Sequence, residues 1–579
     1  MAHSTDEKRA QESYTTPSTQ PSINIATTED YSTEGLAPQD GLGSAEPHIF
    51  SDPARAAYWR QLYEKSKYEG RARFDPALTW TAETERRLKM KLDLRIMLWV
   101  WVMFSSLDLV RRNINRAVSD NMVSALLIEG VNMLTDLARR PGHQHQVRPL
   151  YPTLTTSSND NSDYNTGQTV FFICFLGAEL PGNLISKKFG PDRIIPICIV
   201  LWGVACCAQS AMTGRGSFLA MRAIIGTLQG GFIPEMVLYL SYFYKSNELP
   251  IRLSVFYTAI PLTQIYGALL ASGLLTMRGI RGWAGWQWLF LIEGLICIVV
   301  GFISAGVMST SIIQPALFFR RKDGSNKWWT EEEEKVLVNR LLRDDPTKGD
   351  MNNRQPVGLK DLWRAISNVD VWPIYILGIT AWIPFQPVAN YLSLILRGMD
   401  YTVLESNLLA IPGYALFAIN VLVAGWLSEK FKERSLVASL SNVWMLPFFI
   451  ALVCIPDSSS PWVRYAMLTG INGIPYTHSI LVGMTSANAK NVGMRAVSTA
   501  IYNMCYQIGS IVAVNVYREE DKPYYHTANK ALVGLCSANI ALFAGMKLFY
   551  IWRNKTRKAR WAALPPAEKI SGVDGMYVH

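Results

Sequence analysis

The chain contains one short phrase twice, as Ile185-Ser186-Lys187-Lys188-Phe189, followed by Arg193, and as Leu427-Ser428-Glu429-Lys430-Phe431, followed by Arg434. Each copy comes just after a pair of long apolar segments. In a duplicated membrane transporter, a charged loop joins the second and third spans of each half and clamps two helices on the cytoplasmic side. The sequence therefore predicts two equivalent halves with cytoplasmic gating loops, whose charged residues are Lys187, Lys188, Asp192, Arg193, Glu429, Lys430 and Arg434.

The composition is that of a membrane protein. Hydrophobic residues make up 49% of the 579 residues and charged residues 18%, below the roughly 25% usual for soluble proteins. The formal net charge of +10 comes from basic residues at the ends of apolar segments, where they set membrane orientation, and not from a nucleic-acid-binding face. The eight cysteines form no CxxC pair, and no phosphate-binding glycine loop is present, so we expect no metal, cofactor or ATP-driven pumping.

Twelve apolar stretches of about 20 residues follow one another, and each is long enough to cross a bilayer as a helix. Their predicted positions are 94–116, 165–186, 194–212, 218–243, 253–275, 288–308, 371–396, 407–427, 436–455, 463–485, 497–517 and 531–552. We therefore predict an all-α membrane protein with 12 transmembrane helices in two six-helix bundles.

Polar segments surround and separate the two bundles. The predicted parts are a disordered cytoplasmic tail at 1–79, an N-terminal bundle at 80–308, a cytoplasmic central loop at 309–366, a C-terminal bundle at 367–552 and a cytoplasmic tail at 553–579. In the central loop, Thr330 and Glu333 have the spacing of a capping box and predict a short helix. Basic loops on one side predict that both termini lie in the cytoplasm.

Ionisable residues inside the first span are the first candidates for a binding site. A charge near mid-membrane costs about 2.5–3.5 kcal/mol, so each one needs a physical reason. Arg111 and Arg112 follow Asp108 and fall toward the outer half of the bilayer. Arg111 is predicted to bind an organic carboxylate or to pair with a titrating acid. The alternative is an interfacial cluster that closes the outer end of the helix.

The fourth span combines a cation, small residues and an acid. Arg222 shares a helix face with Gly226 and Gly230, which lets a neighbouring helix approach beside a buried charge. Pro234 frees a backbone carbonyl next to Glu235. We predict that Glu235 exchanges a proton during transport, against the alternative of a purely structural acid.

Four further residues complete the predicted substrate-binding or coupling set. Glu179 precedes Pro181 in the second span and either takes part in coupling or pairs with an arginine at a helix end. Gln386 and Asn390 lie in the seventh span, which is broken and polar enough to form part of a substrate site. His478, in the tenth span, either relays protons or packs as a satisfied core residue.

Several motifs together resemble a known family. Among them are Lys91-Leu92-Asp93-Leu94-Arg95, Glu179-Leu180-Pro181, Gly190-Pro191-Asp192-Arg193 and Gly230-Gly231-Phe232-Ile233-Pro234-Glu235. With these motifs the chain resembles the major facilitator superfamily over about residues 80 to 555. It is most similar to the fungal anion:cation symporters, the allantoate, nicotinate and pantothenate permease group.

The resemblance implies a secondary active transporter of a small organic anion, a vitamin-like carboxylate such as pantothenate or nicotinate. It further implies proton coupling, alternating access, and a monomer in the plasma membrane whose partners are the anion, protons and membrane lipid. An exporter of a secondary metabolite is the main alternative, and a non-transporting receptor is a second one. No enzyme activity is expected.

The chain departs from this family at two places. Members usually read Asp-Arg-Ser-Asn-Ile in the first span, where this chain reads Val110-Arg111-Arg112-Asn113-Ile114. The missing acid puts ordinary proton coupling in doubt unless Glu235 carries it alone. The outer loop at about 123–160 is also unusually long, and it is either a genuine loop or a translated retained intron.

Overall fold

A computed structural model describes residues 48–66, 68–120, 122, 160–245, 248–309, 311–314, 316–320, 327–349, 359–399, 401–489, 492–521 and 524–563. Three predicted regions lie outside the described residues: the first part of the N-terminal tail, nearly all of the unusual outer loop, and the end of the C-terminal tail. The side chain of Lys187 lies outside them as well.

Two helices precede the membrane part, and six helical spans then form the N-terminal bundle. The first two are α1 (Pro53–Lys65) and α2 (Ala82–Leu92). Spans 1 to 6 are α3 (Leu98–Ser119), α4 (Asp160–Phe189), α5 (Pro191–Ala208), α6 (Arg215–Gln229) with α7 (Phe232–Ser241), α8 (Leu249–Tyr257) with α9 (Ala259–Leu274), and α10 (Gly285–Val307).

Two more helices separate the bundles, and six spans follow them. The separating helices are α11 (Glu331–Asp344) and α12 (Leu359–Ile366). Spans 7 to 12 are α13 (Trp372–Thr380) with α14 (Phe385–Arg397), α15 (Val403–Leu409) with α16 (Ile411–Lys430), α17 (Ser435–Cys454), α18 (Pro461–Asn472) with α19 (His478–Asn488), α20 (Val492–Ala513) and α21 (His526–Ala563). The predicted architecture of two six-helix bundles is confirmed.

Nine helical stretches of the described residues are long and apolar enough to cross a membrane. The other three spans differ for visible reasons. Span 1 carries the Asp108, Arg111 and Arg112 cluster, and span 10 is unwound between α18 and α19, around Pro475. Span 11 carries a polar stripe of residues at helical spacing. Polar residues in spans 1 and 11 and the break in span 10 therefore distinguish these three spans from the other nine.

Spans 2 and 4 pack backbone against backbone, as the small residues of span 4 predicted. A Cβ atom on Gly226 would overlap the carbonyl oxygen of Phe171, and one on Gly230 would lie 2.5 Å from the carbonyl oxygen of Phe175. Only glycine permits this approach, which encloses the fully buried Arg222 beside span 2.

We call the face that carries the repeated phrase the inner face, and the opposite one the outer face. The phrase ends spans 2 and 8 and is followed by tight turns into spans 3 and 9. Gly190 adopts φ of 97°, and a Cβ atom there would overlap the Asp192 carboxylate. This turn therefore requires glycine. Ser428 donates to the carbonyl of Glu433 at 3.2 Å, and Lys547 pairs with the Glu433 carboxylate in the second turn.

The expectation of a disordered tail over 1–79 is wrong for its described part. The Tyr63 hydroxyl donates to the carbonyl of Pro346 at 3.0 Å, and the side chain of Asn339 accepts from the Asp75 amide at 2.9 Å. Phe74 packs at 5.1 Å from Tyr63, ring centroid to centroid. These aromatic and polar contacts fold residues 48–79 onto α11, although composition alone indicates disorder.

Helix α11 in turn docks on the inner end of the N-terminal bundle. The predicted capping box is confirmed, because Thr330 accepts from the Glu333 amide at 3.2 Å and Glu333 accepts from the Thr330 amide at 3.1 Å. Arg340, fully buried, pairs with Glu248 before span 5 and lies 3.4 Å from the Glu85 carboxylate of α2. Lys245 pairs with Glu85 at 2.7 Å. We call α1, α2, α11 and the segments between α1 and α2 the inner cap.

Candidate functional site

Arg111 lies between the two bundles. Its guanidinium group rests against the rings of Phe171, Phe172 and Phe175 of span 2, with centroid distances of 5.2–5.5 Å. It donates to the side-chain carbonyl of Gln507 in span 11 at 3.3 Å. Among the ion pairs that the described residues form, none includes Arg111. Arg111 is thus a partly buried cation held by aromatic faces and one amide.

Arg112 begins a chain of polar contacts within the N-terminal bundle. Its Nε donates to Asp108 at 3.0 Å, and Gln264 of span 5 donates to the other oxygen of Asp108 at 3.0 Å. Arg116 donates to the side-chain carbonyl of Gln264 at 2.9 Å. The chain fixes the direction of Arg112, which also faces Tyr414 and Tyr506 of the C-terminal bundle.

Arg222 lies deeper in the N-terminal bundle, one layer behind Arg111. It donates to Gln168 at 2.7 Å and stacks over the ring of Phe171 at 4.5 Å. Arg111 contacts the same Phe171 ring. The two guanidinium groups therefore share one aromatic wall. Arg222 is fully buried, which indicates a supporting role for that wall.

Aromatic residues of spans 7, 10 and 11 form the opposing wall. His478 stacks on Tyr476 at 5.4 Å, lies 4.9 Å from the Tyr506 ring, and is within hydrogen-bond distance of the Tyr502 hydroxyl at 3.2 Å. Gln386 donates to the Tyr506 hydroxyl at 2.7 Å. The structure thus joins two of the predicted residues, His478 and Gln386, through Tyr506.

The remaining predicted residues of spans 2 and 7 also lie near this interface. Asn390 is one helical turn beyond Gln386 on α14 and is buried. Glu179 is fully buried, one turn beyond Phe175 on span 2, and the cation that acts on it is Arg111. The structure therefore places Arg111, Arg112, Glu179, Gln386 and His478 around one space between the bundles.

Glu235 lies in a different place. It lines a cavity of about 460 Å³ between spans 2, 3 and 4, together with Pro181, Gly182, Gly231 and Phe232. The cavity opens beside Ile185, which is exposed on the outside of the bundle. The predicted role of Glu235 in proton exchange stays a prediction.

The charged residues of the predicted gating loops lie at the inner face. Lys188, Arg193, Glu429 and Lys430 are exposed there. Lys188 lies over the Phe189 ring at 5.6 Å, and Lys430 lies over the Trp426 ring at 4.5 Å. Their gating role stays a prediction.

Contacts between the bundles enclose the interface on both sides. Toward the outer face, Tyr391 bonds to Asn165, and Arg397 donates to the carbonyl of Ser119. Toward the inner face, the hydroxyls of Ser254 and Ser479 lie 3.4 Å apart. The two bundles therefore contact each other on both sides of Arg111 in this conformation.

The sequence-based predictions missed several residues at the site. Gln507, Tyr506 and Tyr502 of span 11 and Gln264 of span 5 were not predicted. Their signal was present, because Thr499, Asn503, Gln507 and Ser510 are buried polar residues at helical spacing in one span. Neutral amides and phenols do not stand out as ionisable residues do.

Two helical bundles that meet around partly buried cations and contact each other toward both faces define a membrane transporter of the secondary kind. The chain belongs to the Major Facilitator Superfamily, whose sequence model matches residues 146–514.

The most informative relatives and structures agree with this assignment. Uncharacterized transporter YIL166C of Saccharomyces cerevisiae is 47% identical over 527 residues, covering 91% of each chain. Uncharacterized transporter C1039.04 of Schizosaccharomyces pombe is 25% identical, covering 82% of this chain and 85% of that one. The xylose transporter XylE of E. coli, in a partially occluded inward-open conformation, has a TM-score of 0.54 at 12% identity. The match covers 78% of this chain and 98% of XylE, and at that identity it shows the fold alone.

Proposed function

We propose that the chain carries a small organic anion, a vitamin-like carboxylate such as pantothenate or nicotinate, together with protons across the plasma membrane. Transport proceeds by alternating access of one site between the bundles. The observation that carries the proposal is Arg111, a partly buried guanidinium group between the bundles whose polar contact among the described residues is the side-chain carbonyl of Gln507.

An anion is the solute that this site favours. Four guanidinium groups, of Arg111, Arg112, Arg116 and Arg222, lie in the N-terminal bundle with three nearby carboxyl groups, of Asp108, Glu179 and Glu293. The strongest pairing, between Arg112 and Asp108, leaves Arg111 to a ligand. A guanidinium group binds a carboxylate through two parallel hydrogen bonds, each assisted by charge.

The opposing wall suits the rest of a small carboxylate. Tyr476 and Tyr506 face Arg111 from the C-terminal bundle, and Gln386 holds the Tyr506 hydroxyl at 2.7 Å. Phenol and amide groups offer hydrogen bonds to hydroxyl or amide groups of a solute, while the rings cover its apolar part. The tyrosines of the second bundle and the arginines of the first would then close on the solute together.

Uptake measurements test the proposal. Transporter-deficient yeast expressing the chain would receive radiolabelled carboxylates, pantothenate and nicotinate included, at pH 5 and pH 7. We expect uptake that is greater at pH 5. Arg111→Gln should reduce it at least about thirtyfold, since truncating one partner of a buried charged pair costs 2–5 kcal/mol.

Lys530→Gln is the matched control, because it removes one positive charge from an exposed position of span 12. Its uptake should equal that of the wild type. Equal uptake by Arg111→Gln would refute the anion site. If the chain reaches the cell surface, shows no uptake and instead lowers the cellular content of a loaded carboxylate, the direction of transport is export.

A further inference from the structure

Resting on the proposed function, we propose that the Glu179 carboxyl group is the one that takes up and releases the transported proton, and that its ionised form competes with the substrate for Arg111. The family resemblance leads one to expect an acid beside this arginine in span 1, where the chain has Val110. Glu179 supplies an acid from span 2 instead.

Glu179 and Glu293 of span 6 share surroundings that are unusual for a structural acid. Both have 0% of their surface exposed, and neither has a hydrogen-bond partner for its carboxyl oxygens within the described part of the chain. Another acid in the same bundle, Asp108, has bonds to Arg112 and Gln264. The two buried acids differ in the cation that acts on them, which is Arg111 for Glu179 and Arg116 for Glu293. Burying a carboxylate without hydrogen bonds costs far more free energy than burying the neutral acid, so this conformation holds Glu179 with its proton.

The groups that face Glu179 come from several spans. Arg111 of span 1 acts on it as a cation, and Tyr257 of span 5 and Cys505 of span 11 are its neutral neighbours. Spans 3 and 4 also pack on span 2. They carry Cys198 beside the cavity of Glu235, Arg222 bonded to Gln168, and Glu235 itself. The ionised Glu179 thus has Arg111 as its cation.

The position along span 2 gives the exchange a direction. Arg111 rests on Phe171, Phe172 and Phe175, and span 2 continues to its end at Phe189 on the inner face. Glu179 is four residues beyond Phe175, about 6 Å along a helix at 1.5 Å per residue. The acid therefore lies between the anion site and the inner face.

These positions define one coupled step. When the inner face opens, water reaches Glu179, its O–H bond breaks, the proton passes to water, and the electron pair stays on the carboxylate. The carboxylate is drawn to Arg111, and the substrate carboxylate loses its cation and leaves. Protonation of Glu179 from the outer side frees Arg111 for the next anion. One proton and one anion then move in the same direction.

The test uses the purified full chain in proteoliposomes with labelled pantothenate and labelled nicotinate as probes. The wild type should accumulate a probe when the outside is acidic, and should also exchange labelled for unlabelled probe without a pH gradient. In Glu179→Gln, gradient-driven accumulation should fall at least tenfold while exchange remains measurable. Accumulation equal to that of the wild type would overturn the inference.

Glu235→Gln is the matched comparison, since it makes the same change in the acid that the sequence predicted. If Glu235→Gln abolishes gradient-driven accumulation and Glu179→Gln does not, the proton belongs to Glu235 and the inference is wrong. A wild type that exchanges neither probe nor any other carboxylate would overturn the proposed function, and the inference with it. The two failures are therefore distinct.

A second measurement does not depend on how well a variant folds. At a pH that leaves Glu179 ionised in the ligand-free wild-type protein, addition of the transported carboxylate in weakly buffered detergent should cause uptake of close to one proton per chain, because the anion displaces the Glu179 carboxylate from Arg111. A pH-sensitive dye records this uptake. Binding without proton uptake would overturn the inference.

Discussion

Arg340→Met should loosen the inner cap, since Arg340 is the buried cation that joins two of its helices to the N-terminal bundle. It belongs to α11, pairs with Glu248 beside span 5, and lies 3.4 Å from the Glu85 carboxylate of α2. In the variant, Glu85 keeps Lys245 at 2.7 Å, whereas Glu248 keeps the Lys245 amide at 3.2 Å and the Lys89 ammonium group at 3.7 Å. The negative charge of the buried Glu248 and Glu85 carboxylates would then be less well neutralised.

The magnitude follows from the loss of one partner in a buried ion pair, which costs about 3–5 kcal/mol. Since Glu85 keeps a close cation, we take the lower end, about 3 kcal/mol, equivalent to roughly a hundredfold increase in cap opening. Hydrogen–deuterium exchange of the α11 amides in nanodiscs measures this opening. Lys335→Met is the control, because its pair with Glu331 at 3.8 Å is exposed and is worth about 0.3–0.5 kcal/mol. Exchange of α11 in Arg340→Met within threefold of the wild type would refute the reasoning.

Three further predictions concern packing, closure and pH. Gly226→Ala should lower the stability of the purified protein by about 1–3 kcal/mol, because its methyl group would meet the Phe171 carbonyl. Gly216→Ala is the control and should melt like the wild type, since there is open space around Gly216. Equal melting of the two variants would contradict the close approach of spans 2 and 4. Tyr391→Phe removes the hydroxyl that bonds to Asn165 and, at about 0.5–1.5 kcal/mol per hydrogen bond, should raise the outward-open fraction several-fold. Spin labels at the outer positions Thr213 and Ser458 would show this as a longer distance between the two labels. An unchanged distance distribution would contradict a role of this hydrogen bond in closing the outer face. Burial raises the pKa of Glu85, but hydrogen bonds from Lys245 and Trp80 and the charges of Lys245 and Arg340 outweigh it, so the pKa lies below its ordinary value of 4.5. This ionised carboxylate stabilises the cap above pH 4.5, and the contribution is lost as the pH falls through the lowered value. Protection of the α2 amides against exchange should therefore fall in the wild type as the pH drops below 4.5, and Glu85→Gln should lose that acid-dependent step. Burial raises the pKa of Glu334, which works in the opposite direction and is why the variant is needed.

The membrane part of the fold follows from the sequence because apolar length and basic flanks are local signals. Each predicted span overlaps a helix or a helix pair, and the break in span 7 was predicted from Pro384 and Pro387. The inner cap could not be predicted in the same way. Its contacts join residues that are far apart in sequence, such as Tyr63 and Pro346, which lie before and after the whole N-terminal bundle. The tail gives no local sign of such a partner.

The charged part of the candidate site was predicted, and of its neutral part only the residues of span 7 and His478 were. Arg111 and Arg112 stood out because a charge inside a span has a high cost. Gln507 has a much lower cost there, so only the helix face that it shares with Asn503 and Ser510 distinguishes it. For Glu235 the sequence identified the residue but not its surroundings. The cost of a charge inside a span marks a residue that needs an explanation. Only the packing shows that Glu235 faces a cavity between spans 2, 3 and 4, while Glu179 faces Arg111.

The inner cap also determines what an attached probe would report. Helices α2 and α11 pair with Lys245 and Glu248, which lie between spans 4 and 5, and α1 is joined to the turn after α11 through Tyr63. The inner cap must therefore travel with the first bundle when the two bundles rock. A fluorophore near Pro53 would then report the tilt of that bundle relative to one fixed after span 12. Single-molecule recordings could follow each turnover from this water-exposed layer, with no label inside the membrane.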